Sequence, residues 1–253
     1  MSLQARVRRW TPSTPKAPTP LLLDAVPGAA LDDATIEAMW RLRVDTFPLK
    51  PEVDPAVDRA RYARRVRMGQ RTMLLRDPDG GVQGTFSFFW TPSPDGQQLW
   101  LFPEYGYLGR AYRGHPALAW GVARGLLAAL RAARRRPLWF AGIGYPRSHQ
   151  SLARVFRPLH TLADPDLPDD ARAVLVALHE RFAGASWDRH THRVWLPTLP
   201  REQRPAEPGP AWQRFETICP DWADGYGVGL AARIDPRVIW RAVAEGRTRS
   251  SRA

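Results

Sequence analysis

The period of apolar and polar positions changes along this chain, and each change marks an element. Residues 1–24 show no period: Pro12, Pro15, Pro18 and Pro20 stand among Ser, Thr and Arg, which resists helix and favours extended, solvated chain. From Leu31 to Phe47 the apolar residues Ile36, Met39, Trp40, Leu42 and Phe47 approximate one helical face, with Asp32 or Asp33 placed to cap it. The spacing predicts a second, more basic helix over Val57–Gln70, whose Arg61, Arg64, Arg65 and Arg67 are expected on a solvated face. The period then falls to two. Two β-rich runs in Arg71–Trp90 flank Asp77-Pro78-Asp79-Gly80-Gly81 and predict an antiparallel hairpin. A turn at Thr91–Gln98 leads into Leu99–Gly109, where Pro103 lacks a backbone donor, so this strand is expected to splay from one neighbour.

Pro116 and Pro137 bracket the next helix. Leu118, Val122, Leu126 and Leu130 recur every four residues, and the small residues Ala117, Ala119, Gly121, Ala123 and Gly125 between them allow close packing on a sheet. Pro137–Gly144 reads as a buried strand, Ser148–Phe156 as a short helix, Asp169–Phe182 as a helix and His192–Leu199 as a strand. Pro200–Pro210 is a polar, proline-rich connection to an extension with a strand at Tyr226–Ile234 and a terminal helix opening at Asp235-Pro236. The expected organisation is a tail over 1–24, an α/β domain over 25–200, and a linker and extension over 201–253 packing on the core.

Composition narrows the class. With 253 residues and 44% hydrophobic content the chain can bury one sizeable core. No apolar stretch approaches the roughly 18 residues that span a bilayer, and residues 1–23 lack a secretory hydrophobic segment, so a soluble cytoplasmic protein is expected. The single cysteine, Cys219, excludes an intrachain disulfide framework and a Cys-cluster zinc site, and is expected to be buried. The net charge of +12 favours anionic partners: nucleotides, phosphorylated cofactors, acidic carrier proteins or nucleic acid. Lys16 and Lys50 are the only lysines among 37 basic residues, and the arginines are spread through every segment without a stripe. A nucleic-acid-binding role therefore rests on charge alone.

Candidate chemistry centres on Tyr107–His149. The first amides of a helix lack intrahelical partners and the helix dipole adds positive charge there, so an Arg-Gly entry can cradle an anion. Arg110 and Arg113 would supply charge, Gly114 close approach, and the amides from Gly114 through His115 and Ala117 to Leu118 would supply donors. The competing reading is a simple turn with solvated arginines. The order helix, helix, hairpin, splayed strand, Arg-Gly loop, small-residue helix, strand, short helix resembles the GNAT superfamily of N-acetyltransferases over residues 31–200.

That resemblance implies a mixed, mostly antiparallel central sheet flanked by helices. It also implies a coenzyme A thioester, acetyl or longer, as co-substrate, with its pyrophosphate on the loop before the central helix and its pantetheine arm in the splay. The acceptor would be a small-molecule amine, approached from the first helices and the loops near residues 145 and 185; an acyl carrier protein is the alternative donor, and no metal is implied. The chain departs from the family pattern in two places. In the loop, Pro116 and Leu118 stand where small residues are expected, and after the next strand His149 and Phe156 fall where an asparagine and an acid-supplying tyrosine are expected. Tyr145, in Gly-Ile-Gly-Tyr-Pro, is the replacement acid, and Glu104, a carboxylate in an apolar run, is the candidate general base. Residues 40–47 also resemble the Arg-x-x-Val-Phe opening of acyl-homoserine lactone and N-acyl amino acid synthases, with Arg43 and Phe47 matching and Thr46 in place of valine.

Two other chemistries are open to test. His190 and His192, on one face of a strand, would join Asp188 as metal ligands. No Gly-x-Ser-x-Gly turn supports a serine hydrolase. An acyl-thioester-binding module without turnover is the alternative from a different functional class.

Overall fold

The structure, a computed structural model, describes residues 20–112, 115–201 and 203–235. Arg113, Gly114 and the terminal helix expected from Pro236 onward lie outside the described residues. The elements run β1 (Leu22–Val26), α1 (Asp33–Thr46), α2 (Pro55–Arg67), β2 (Arg71–Arg76), β3 (Val82–Pro92) and β4 (Leu99–Leu108). They continue as α3 (Pro116–Ala133), β5 (Leu138–Gly144), α4 (Pro146–Val155), α5 (Asp169–Leu178), β6 (Trp187–Asp188), β7 (Arg193–Trp195), α6 (Pro210–Ile218) and β8 (Tyr226–Ile234). The strands form one sheet in the order β1-β2-β3-β4-β5-β8-β7-β6. Its neighbours pair antiparallel except β4 and β5, which are parallel and joined by the crossover helix α3. The mixed, mostly antiparallel sheet flanked by helices agrees with the expectation. Among the described residues no helix is long and apolar enough to cross a membrane.

Local chemistry sets the helix ends. Asp32, not Asp33, caps α1 by accepting from the Thr35 amide at 2.6 Å, and Asp54 caps α2 through Ala56 at 2.7 Å. α3 opens on Pro116, with His115 as its cap. Its glycines set how close it lies to the sheet: a Cβ on Gly125 would fall 2.1 Å from the Phe88 ring.

Apolar clusters cover both sheet faces. α3, α4 and α6 pack over Met73, Phe88, Leu101, Leu138 and Leu230. α5 covers Phe89, Trp100, Phe102 and Trp139 on the other face, and α1 and α2 extend that layer over Leu74.

Three elements differ from the sequence reading. β1 straddles residue 24, where composition placed the end of the tail, because Leu22–Val26 pair with β2 and cover an otherwise unpaired edge. α6 follows the expected connection, in a stretch before β8 where the sequence reading placed no element: Trp212 and Phe215, three apart, bury one face behind the proline-rich flank. β7 stops at Trp195, since beyond it the Leu196 amide donates to Gly225 and residues 197–199 pair with Pro48 and Lys50. The strand read in the C-terminal extension, β8, is inserted between β5 and β7.

Candidate active site

The site begins where two strands part. β4 pairs with β5 only at Leu99↔Leu138, Trp100↔Trp139 and Leu101↔Phe140. Beyond Leu101 the strands diverge, with Pro103 two residues after the last pair. A bulge follows: Thr85 lies opposite Tyr107 and Ser87 opposite Glu104, so β4 carries one residue more than β3. Tyr105 takes the strained φ of 57°, and Gly106 fits because a Cβ there would lie 2.6 Å from the Phe86 ring. The bulge brings Glu104, Tyr105 and Tyr107 to the face covered by α1 and α2.

Glu104 is held in a semi-closed setting. Arg65 Nη2 donates to its Oε1 at 2.9 Å, while its buried Oε2 has no hydrogen-bond partner among the described residues. Burial raises the carboxyl pKa, and the adjacent Arg65 opposes that shift. Arg65 also donates to the Phe182 carbonyl at 2.9 Å and lies 4.5 Å from the Phe182 ring centroid. It is therefore not on a solvated face, as its arginine-rich sequence implied; α2 turns Asp58, Tyr62 and Val66 inward, and Arg65 shares that side.

An aromatic wall surrounds this carboxylate. Tyr105 packs edge-on against Tyr62 with centroids 4.7 Å apart, and Tyr107 lies 6.4 Å from Tyr105 and 5.8 Å from Phe47. Burial drives the Tyr105 and Tyr62 hydroxyls well above their ordinary pKa, and that of Tyr107 up to about 12, so all three stay protonated at neutral pH. Behind the wall Arg43 forms a buried bidentate pair with Asp58, which also accepts from Trp40 Nε1 at 2.8 Å. This pair clamps α1 to α2, the physical work done by the arginine of the Arg-x-x-Val-Phe resemblance.

Tyr145 stands at the end of β5, where it precedes α4. Its buried hydroxyl donates to the Thr198 carbonyl at 2.8 Å, and its ring stacks on Phe47 with centroids 6.1 Å apart. Phe47 thus links the tyrosine wall of β4 to the end of β5.

At the α3 end, Arg110 belongs to an exposed 3-10 turn, Arg110–Tyr112. His115 Nδ1 accepts from the Ala117 amide at 3.2 Å, and the Leu118 amide points to the His115 carbonyl at 3.4 Å. Two amides assigned to an anion are therefore already engaged, and a diphosphate there has to displace the imidazole. The splay itself suits an extended arm, since β4 beyond Leu101 is free of β5.

The remaining candidates have other surroundings. His149 is buried against Phe215, with centroids 5.6 Å apart, and Phe156 stacks on Phe140 at 5.1 Å. Both are buried, His149 against α6 and Phe156 against β5. His190 and His192 do not share a strand face: Asp188 accepts from the His190 amide at 2.9 Å and from Thr191 Oγ1, closing a turn. Among the described residues no group of three potential ligands is placed to hold a metal ion. Cys219 is fully buried, and burial pushes its thiol up to about 12.

Sequence reasoning missed Arg65 and the three tyrosines. The spacing of Tyr62, Arg65 and Val66 on α2 was the available signal; the bulge that gathers Tyr105 and Tyr107 left none.

No protein-family model and no curated protein matches the chain. Solved structures that it resembles include a GNAT family acetyltransferase from Staphylococcus aureus, at 6% identity, covering 85% of this chain and 100% of that one, with a TM-score of 0.45. The GNAT family N-acetyltransferase YhbS from Escherichia coli, solved in complex with CoA, matches at 13% identity over 90% and 88% of the two chains, with a TM-score of 0.43. Escherichia coli ElaA matches at 10% identity over 84% and 99%, with a TM-score of 0.42.

Proposed function

We propose that the chain is an N-acyltransferase, acting in the cytoplasm, that passes an acyl group from a coenzyme A thioester to a small-molecule amine by direct attack. The observation that carries this reading is Glu104. It is a half-buried carboxylate on the splayed strand, anchored at one oxygen by Arg65, while its other, buried oxygen has no hydrogen-bond partner among the described residues.

Coenzyme A, when bound, presents an activated acyl group on a thiol leaving group. The backbone of β4 beyond Leu101 would receive the extended arm and polarise the acyl carbonyl through its amides. Glu104 Oε2 would take the proton of the incoming ammonium; burial raises its pKa, which suits that exchange, and Arg65 opposes the rise. Tyr62, Tyr105 and Tyr107 would line the amine site, excluding water and offering π faces to a cation. Tyr145 would protonate the leaving sulfur after giving up its bond to Thr198. Arg110, Arg113, Gly114 and the Ala117 amide would hold the diphosphate once the His115 ring swings away, and the Leu118 amide would join them only by also giving up its bond to the His115 carbonyl. An acyl carrier protein is the alternative donor.

A second reading, a thioester-binding module without turnover, is favoured by two groups that are already committed: the Tyr145 hydroxyl to Thr198 and the Ala117 amide to His115. Two measurements separate the readings. Saturating coenzyme A should stabilise the fold by roughly 2.7 kcal/mol at about 100 times its dissociation constant, and Arg113→Ala should abolish the shift. Release of free thiol with an amine panel, lost in Glu104→Gln, supports catalysis. Stabilisation without thiol release for any amine supports the binding module, and no shift with acetyl- or long-chain thioesters removes free coenzyme A as donor.

A further inference from the structure

On the sheet face opposite Glu104, a cavity of about 590 Å³ lies between α3 and the outer strands β1 and β2. Its apolar floor is Leu23, Met73 and Leu127, and its cations are Arg71, Arg124 and Arg131. Arg124 and Arg131 are exposed, and Leu127 between them is 42% exposed. Among the described residues none of the three arginines pairs with a carboxylate. The carboxylate at the rim, Asp24, already faces Arg76 at 3.3 Å. β1 stands at the margin of the sheet, so its outer row of amides and carbonyls has no strand partner among the described residues.

We propose that this groove docks an extended acidic segment of a partner protein, which adds to the free edge of β1 and sets its carboxylates on Arg124 and Arg131. The geometry selects that occupant. Arg124 and Arg131 are two helical turns apart, about 10 Å along α3, with Leu127 between them. In an extended peptide, side chains four residues apart share a face at roughly 13 Å, a gap that two arginine side chains close by leaning outward. An acidic residue, an apolar residue two positions on and a second acidic residue two further would meet Arg124, Leu127 and Arg131 in turn. Main-chain pairing to β1 would supply affinity, and the arginine forks would select carboxylates. A second copy of this chain is disfavoured by its net charge of +12. Its own first nineteen residues are disfavoured too, since they hold Arg6, Arg8, Arg9 and Lys16 and no acidic residue. A bilayer surface does not reach the floor of a concave groove. This inference does not depend on acyl transfer.

The test uses the full chain and a fluorescein-labelled peptide, Thr-Glu-Thr-Val-Thr-Glu-Thr, read by fluorescence anisotropy. Binding is expected, with roughly 10- to 100-fold loss in the Arg124→Ala, Arg131→Ala double variant, the scale for removing charged hydrogen bonds. A peptide with Gln for both Glu should lose a similar factor, and an N-methylated backbone should also weaken binding. Both arginines are exposed, so an unchanged melting temperature in the double variant confirms that the fold is intact. Equal binding of the Glu and Gln peptides, or no effect of the arginine substitutions, overturns the proposal. So does indifference to N-methylation, which would reduce the groove to a general anion patch. Capture by anionic phosphatidylserine vesicles that the peptide cannot displace would assign the face to membranes instead.

Discussion

The two edges of β5 behave differently. Toward β8 the strand is zipped along its length, from Leu138↔Ile234 to Gly144↔Val228. Toward β4 it is paired only as far as Leu101↔Phe140. Along the closed edge a small residue on one strand faces a larger one on the other, as at Gly142↔Leu230, Ile143↔Gly229 and Gly144↔Val228, and the His179 ring lies against the backbone of Gly229, where a Cβ would approach to 2.2 Å. The open edge has Pro103 and, beyond it, the Tyr105 bulge, so β4 bends towards α1 and α2. A strand can thus be fully paired on one side and part from its neighbour on the other, and the difference comes from its neighbours.

The largest expected effect tests the open edge. Glu104→Gln should leave the fold intact and lower thiol release with an amine acceptor by roughly 10²- to 10⁴-fold, the usual scale for a general base. In the native chain the rate should rise with pH through a value above the ordinary carboxylate range, because burial raises the Glu104 pKa. A pH–rate profile of kcat/KM checks this. An unaltered rate in Glu104→Gln would remove the base assignment.

The closed edge should respond to acid. Burial lowers the His179 pKa from 6.5 to about 4, and its ring is neutral against Gly229 with Nδ1 2.6 Å from the Leu175 carbonyl. The unfolded chain therefore binds the extra proton first. Stability should fall as pH drops from about 6.5 to about 4, by about 3 kcal/mol in total from this group. Urea unfolding across that window, compared between the native chain and His179→Phe, should show a shallower loss in the variant.

Paired glycine substitutions contrast the edges directly. Gly229→Ala forces the His179 ring to move and should cost roughly 1–3 kcal/mol. Gly142→Ala, on β5, meets only the Pro103 carbonyl at 3.6 Å and the Phe140 ring at 3.7 Å, and should stay within about 0.5 kcal/mol of the native chain. Equal losses would mean that β4 is as tightly packed on β5 as β8 is.

A modest effect is expected at Tyr145→Phe. Removing the donor to the Thr198 carbonyl should cost about 1 kcal/mol in thermal unfolding. A much larger loss in thiol release than in stability would assign the hydroxyl to proton transfer.

Much of this architecture was legible in the sequence. Asp32 stood before its helix, Asp77–Gly81 marked the hairpin, and Pro103 marked the splay, because each acts through the backbone of its own neighbours. Glu104 was legible as a lone carboxylate in an apolar run. Arg65 was hidden among Arg61, Arg64 and Arg67, which the sequence presents as equals until α2 is packed against β4. His149 and Phe156, where the family resemblance would expect an asparagine and a tyrosine, face Phe215 and Phe140 instead; for His149 the partner comes from α6, which lay unread behind its prolines.

The sequence by itself determined where helices start, where turns fall and which strand parts from its partner, since capping, proline and glycine effects operate within a few residues. Tertiary structure alone decided that β8 enters between β5 and β7, that a bulge turns Tyr105 and Tyr107 towards α2, and that Arg65 meets Glu104. Those contacts join residues far apart in the chain, 39 positions for Arg65 and Glu104. They are set by burial of whole faces rather than by local preference.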